Sequence, residues 1–157
     1  MVPTSPIHIL RKLRHRQVRV THPEAVGDAS LNLPRRVDGP AAAAQLAADL
    51  LRHRREPIVL AHYLDERHWL SGHAILATGW VQASRLSAHP VLQGAEACRA
   101  ESVVFIRYGR SRSLAVTEAE YRSFATLAAA CARHGLPVVD HLVVGPGGFS
   151  SAWLGRS

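Results

Sequence analysis

The sequence predicts a mixed α/β domain, a sheet with helices packed on it, and three observations carry that expectation. Runs of β-type residues bounded by turn signals occur at 57–64, 103–106 and 138–144. Between them lie segments whose apolar residues recur at helical spacing, over 41–52, 89–99 and 117–134. The chain of 157 residues is 47% hydrophobic and 20% charged, ordinary globular composition with room for one sizeable core.

Taken in order, Asp38-Gly39-Pro40 is a helix start signal, because proline at the first helical position has no amide proton to leave unsatisfied. The helix that follows, over 41–52, sets Ala44, Leu46, Ala47, Leu50 and Leu51 on one stripe. Pro57 to Leu64 reads as a strand turning at Asp65 to His68, and Trp69 to Val81 as a second strand or strand pair interrupted at Thr78-Gly79. His89-Pro90 opens a helix through Arg99 with Val91, Leu92, Ala95 and Cys98 on a shared face. Val103 to Ile106 is a buried strand that gives way to Arg107, Tyr108, Gly109 and Arg110. A helix from Thr117 to about His134 ends at Gly135 and Pro137. Its small-residue stripe (Ala125, Ala128, Ala129, Ala132) is expected to pack on the sheet. Val138 to Val144 and, after Gly147-Gly148, Phe149 to Trp153 complete the strands.

Residues 1–38 hold seven Arg or Lys against three acids and five prolines fall within the first 40, so this part reads as a basic tail preceding a domain over 39–157. Its cluster Arg11, Lys12, Arg14, Arg16 and Arg19 could neutralise phosphates, or could simply be a solvated leader. No apolar run approaches the ~20 residues that span a bilayer. No apolar leader of secretory type is seen, and the expected address is cytoplasmic. The two cysteines, Cys98 and Cys131, sit in separate helices and are expected as small buried hydrophobes.

The loop after the 103–106 strand is where an α/β fold usually places its chemistry, at the carboxyl end of a strand facing a helix N-terminus. Arg107, Arg110 and Arg112 with Tyr108 make it an arginine-rich loop, a candidate contact for phosphate, a carboxylate or nucleic acid. The chain shows no helix-turn-helix, zinc-finger or RNP pattern.

Residues 38–153 resemble the RadC-like branch of the JAB/MPN domains, the cytidine-deaminase-like fold of the JAMM zinc metallopeptidases. The most specific match is Leu136 to Gly145 (LPVVDHLVVG), supported by Ala77 to Val81 with Ala83-Ser84, by His89-Pro90, and by Arg55 to Leu60 with Leu64-Asp65. The resemblance implies a zinc held by His-x-His and a carboxylate, a glutamate general base on the first strand, and a serine steadying the oxyanion. Laid on this sequence, the general base falls on Glu56, the two ligand histidines on Arg107 and Gly109, the serine on Thr117 and the ligand carboxylate on Glu120.

Arginine carries no lone pair and repels a divalent ion, and glycine offers no side chain, so no zinc or other cofactor is expected. Rescue by another histidine (His62, His73, His89 or His141) is the alternative, with His89 and His141 matching family positions outside the metal site. The resemblance therefore points to a binding or scaffold module that has lost its chemistry, a pseudoenzyme with a protein partner or self-association and the family's association with DNA repair. The competing readings are a metal-dependent hydrolase still active, and a nucleic-acid binder working through the tail and the arginine loop. If the site was rebuilt, Arg107 should turn toward Glu56, Glu120 or both; if abandoned, it should be a surface base.

Overall fold

The computed structural model describes residues 36–79, 86–110 and 113–152. The elements among them are α1 (Pro40–Leu51), β1 (Ile58–Leu64), β2 (Leu70–Thr78), α2 (Ala88–Cys98), β3 (Ser102–Tyr108), α3 (Glu118–Arg133), β4 (Val138–Gly145) and β5 (Gly148–Ser151). The strands form one sheet in the order β2-β1-β3-β4-β5. Only β3 and β4 run parallel, joined through α3, because parallel neighbours need a crossover whereas the β1-β2 and β4-β5 pairs close through turns.

The sheet is covered on both sides. On one face α1 lays Ala43, Ala44, Leu46, Ala47 and Leu51 over Ile58, Leu60 and Leu64 of β1, Val104 and Ile106 of β3, and Leu142 and Val144 of β4. On the other, α2 and α3 cover Ala61, Tyr63, Val103 and Phe105. A strand covered on both faces cannot alternate apolar with polar, which is why β1 reads as one apolar run.

Two close contacts fix this packing. Tyr63 donates its hydroxyl to the Val91 carbonyl at 2.8 Å, and Gly94 leaves the space that the phenol ring fills. Phe105 and Phe124 meet with ring centroids 5.8 Å apart. Helix α3 ends in a Schellman turn: Gly135 takes φ 83°, and Leu136 N–H and Gly135 N–H donate to the Cys131 and Ala132 carbonyls at 3.0 Å. Helix α2 ends on the same pattern with Arg99 at φ 55°, where a side chain is disfavoured.

Most expected elements are present within one or two residues, with three differences. Arg36 and Val37 already belong to the folded body, since Arg36 bridges Trp69, Val37 N–H donates to the His68 carbonyl at 2.7 Å, and Val37 is buried. The alanine stripe of α3 turns inward only in part: Ala125 and Ala128 are half-buried, Ala129 and Ala132 are exposed, and the fully buried residues of the helix are Phe124, Leu127 and Cys131. Larger side chains on the neighbouring stripe remove more apolar area from water, so they decide which way the helix faces. The last strand stops at Ser151, and its expected end at Trp153 lies outside the described residues. Cys98 and Cys131 are buried free thiols, each pushed up to about 11 by burial.

Candidate functional site

Strand alternation decides which residues of the β3–α3 loop can meet. Phe105 faces α3, so Arg107 does too, while Tyr108 turns to the α1 face and packs on that core. Tyr108, expected beside the arginines, is therefore separated from Arg107 by the sheet. Arg110 is exposed, and Arg112 lies outside the described residues, as do Arg11, Lys12, Arg14, Arg16 and Arg19.

Helix α3 begins at a true N-cap. Thr117 takes an extended conformation (φ −68°, ψ 157°), and its Oγ1 accepts from the Glu120 amide at 3.1 Å. The cap sets the first turn so that the Glu120 side chain points back across β3. There Arg107 Nε donates to Glu120 Oε2 at 2.7 Å, a charge-assisted bond between side chains 25% and 15% exposed. The same guanidinium donates through Nη2 to the Ala115 carbonyl at 3.0 Å, and Ser150 Oγ of β5 donates to the Leu114 carbonyl at 2.8 Å. Arg107 thus holds the helix start and the loop before it together.

A third group closes the cluster from behind. His141 of β4 is fully buried, stacks on Phe124 with centroids 3.9 Å apart, and brings Nε2 to 3.4 Å from Glu120 Oε2. That is an ion-pair distance without hydrogen-bond alignment. Burial raises the Glu120 pKa, but attraction from His141 and Arg107 outweighs it and leaves the carboxyl below its ordinary 4.5. Sequence reasoning set His141 apart from this site. The signal that would have found it is the parallel register, which sets His141 opposite Phe105, one same-face step from Arg107.

Glu56 is not drawn in. It sits in the bend before β1 with its side chain 38% exposed, and its Oε1 accepts from Arg54 Nη1 at 2.9 Å. Its own backbone amide, and then Arg54, hold its pKa below the ordinary value. Gly109 follows Arg107 at the strand end, donates its amide to the Val144 carbonyl at 3.1 Å, and has open space where a Cβ would project.

A family model for the RadC-like JAB domain matches residues 37–155. The chain belongs to the RadC-like JAB domain family. The mixed five-stranded sheet flanked by helices is consistent with the JAB fold. No curated protein gives a significant match to the chain.

The zinc that the family implies can be tested against these donors. Guanidinium has no lone pair, Gly109 has no side chain, the Thr117 hydroxyl is committed to the cap, and Glu120 Oε2 is already bonded to a cation. Glu120 and His141 would give two protein ligands, short of the three that a catalytic zinc site uses. Among the described residues no group of three or more His, Cys, Asp or Glu could hold a metal ion. His62 and His73 pair across β1 and β2 on the α1 face, away from this cluster, and His89 opens α2. The described residues at this junction do not fit zinc.

Proposed function

We propose that this chain is a non-catalytic RadC-like JAB domain, retained as a binding or scaffold module in which an internal ion pair stands where the family holds its metal. The observation that carries this reading is the 2.7 Å bond from Arg107 Nε to Glu120 Oε2. Two half-buried carboxylate oxygens lacking a cation would be costly, and the guanidinium supplies the missing positive charge without an open coordination position. With no such position there is nowhere for an activated water to sit, and no hydrolytic step follows. Glu56, half-exposed and bonded to Arg54, serves in this reading as a surface acid, and Thr117 as a helix cap. Neutralising Arg107 internally also removes one of the charges on which a phosphate-binding loop would rely.

Elemental analysis of protein purified without added zinc tests this, together with the paired variant R107H/G109H. The native chain is expected to carry far less than one metal per molecule and to lack peptidase activity. The paired variant, whose new side chain at 109 has open space to enter, is expected to take up zinc. Stoichiometric metal in the native chain, lost on Glu120→Ala, would overturn the reading.

A further inference from the structure

The opposite face of the sheet carries a second buried polar group that the site does not use. His62 of β1 is fully buried between Leu60 and Leu64 on the face covered by α1. Directly across the antiparallel register stands His73 of β2, itself 8% exposed. Neither ring nitrogen of His62 has a hydrogen-bond partner among the described residues.

What faces this pair decides how it responds to protons. Helix α1 buries Ala43, Ala44, Leu46 and Ala47 in the core on this face, and none titrates. The α1 acid, Asp49, lies on the side of exposed Gln45, whose Nε2 donates to it at 3.0 Å. From β3 the residue opposite His62 is Val104, and β4 contributes Leu142 and Val144 to the same cluster. The carboxylate on this face is Asp140 of β4, two strands away across Val104, and its Oδ1 is taken by the His141 amide at 2.7 Å and the Ser151 hydroxyl at 2.7 Å. The titratable residue directly across the ladder from His62 is another histidine. A proton arriving on His62 meets no adjacent counter-ion among the described residues, and a second on His73 would face it as a like charge directly across the ladder.

We propose that the His62–His73 pair makes the seating of α1 on the sheet acid-sensitive, so that α1 is released before the α2/α3 face opens. Burial, and then the neighbouring His73, lower the His62 pKa from 6.5 to about 3, against the opposing effect of the Ala43 backbone. The sign follows from linkage. A histidine whose folded pKa is depressed contributes its full stability above 6.5 and loses it as pH falls toward 3. Each pH unit in that window shifts the opening equilibrium by about tenfold for one histidine. The Glu120 cluster responds only lower, below the ordinary carboxylate value of 4.5.

Amide hydrogen exchange on the full chain, stepped from pH 7.5 to 4.5 and corrected for intrinsic rates, tests this. Protection of α1 is expected to fall about tenfold per unit below pH ~6.5 while α3 protection holds. His62→Leu is expected to flatten the α1 profile, and His73→Leu, which leaves His62 but removes the opposing charge, to move it part-way. Equal loss of protection in α1 and α3 of the native chain would overturn the proposal, as would a His62→Leu profile matching the native one. Should His62→Leu not fold, the native order of loss and the His73→Leu profile still decide.

Discussion

If Arg107 is an internal cation and not a surface base, its removal should cost far more than an exposed ion pair does. Exposed pairs are worth about 0–1 kcal/mol, whereas stripping one partner from a buried pair costs about 3–5 kcal/mol. With side chains 25% and 15% exposed, the Arg107–Glu120 pair lies between these limits. Arg107→Met keeps the apolar stem but loses the bond to Glu120 and the one to the Ala115 carbonyl, and about 2–3 kcal/mol is expected. Glu120→Gln keeps the shape and removes the charge that both Arg107 and His141 face, for about 1–2 kcal/mol. The double variant should cost less than the sum, with a coupling of about 1–2 kcal/mol. Urea unfolding of the four proteins at pH 7 measures the cycle. The coupling should persist above pH 4.5 and vanish as the solution is acidified through the lowered folded-state value, since Glu120 is held charged by its neighbours. A coupling within ~0.3 kcal/mol of zero would show Arg107 to be a surface base and refute the internal-cation argument.

Three further outcomes follow from the local geometry. Thr117→Ala should lose about 1 kcal/mol by thermal or urea unfolding, while Thr117→Ser stays near the native value because it keeps the capping oxygen. Arg99 occupies a left-handed position at φ 55°, so Arg99→Gly should stabilise the domain by about 0.5–1 kcal/mol, read as an upward shift in melting temperature. Gly94→Ala should cost about 1–3 kcal/mol because its new methyl would lie 2.8 Å from Tyr63 Cζ and overlap the hydroxyl. Adding Tyr63→Phe, which takes the hydroxyl away, should return part of that loss, although Tyr63→Phe alone gives up the bond to the Val91 carbonyl.

The fold was readable because its signals are local. Pro40, Gly135 and the apolar runs of β1, β3 and β4 act within a few residues of themselves, and each marks an element that the structure contains. The site was readable only in part, and the division follows the same logic. Thirteen residues separate Arg107 from Glu120, but one strand end and one helix cap fix their meeting, so it could be anticipated. His141 could not, because its approach depends on the register between β3 and β4, which a bulge at Val139 shifts by one residue. That bulge also leaves Val139 48% exposed within an otherwise apolar strand. Glu56 failed for the opposite reason: two residues away, Arg54 offers a partner at lower entropic cost than a reach across the sheet.

A metal site and an ion pair solve the same structural problem with different consequences. The β3–α3 junction gathers a carboxylate at a helix N-terminus, beside a buried imidazole and under a loop whose carbonyls need donors. A zinc ion would satisfy the carboxylate and still keep a position for water. A guanidinium satisfies the carboxylate and a loop carbonyl at once, through Nε and Nη2, and keeps no such position. The loop is then held by donors in the chain itself, so its order should not depend on metal supply. Chelation separates the two arrangements. Treatment with EDTA should leave the melting temperature and the α3 amide protection of this chain unchanged, while R107H/G109H, once loaded with zinc, should lose both by mass action. A native chain that loosens on chelation would mean that an ion, and not Arg107, holds the junction.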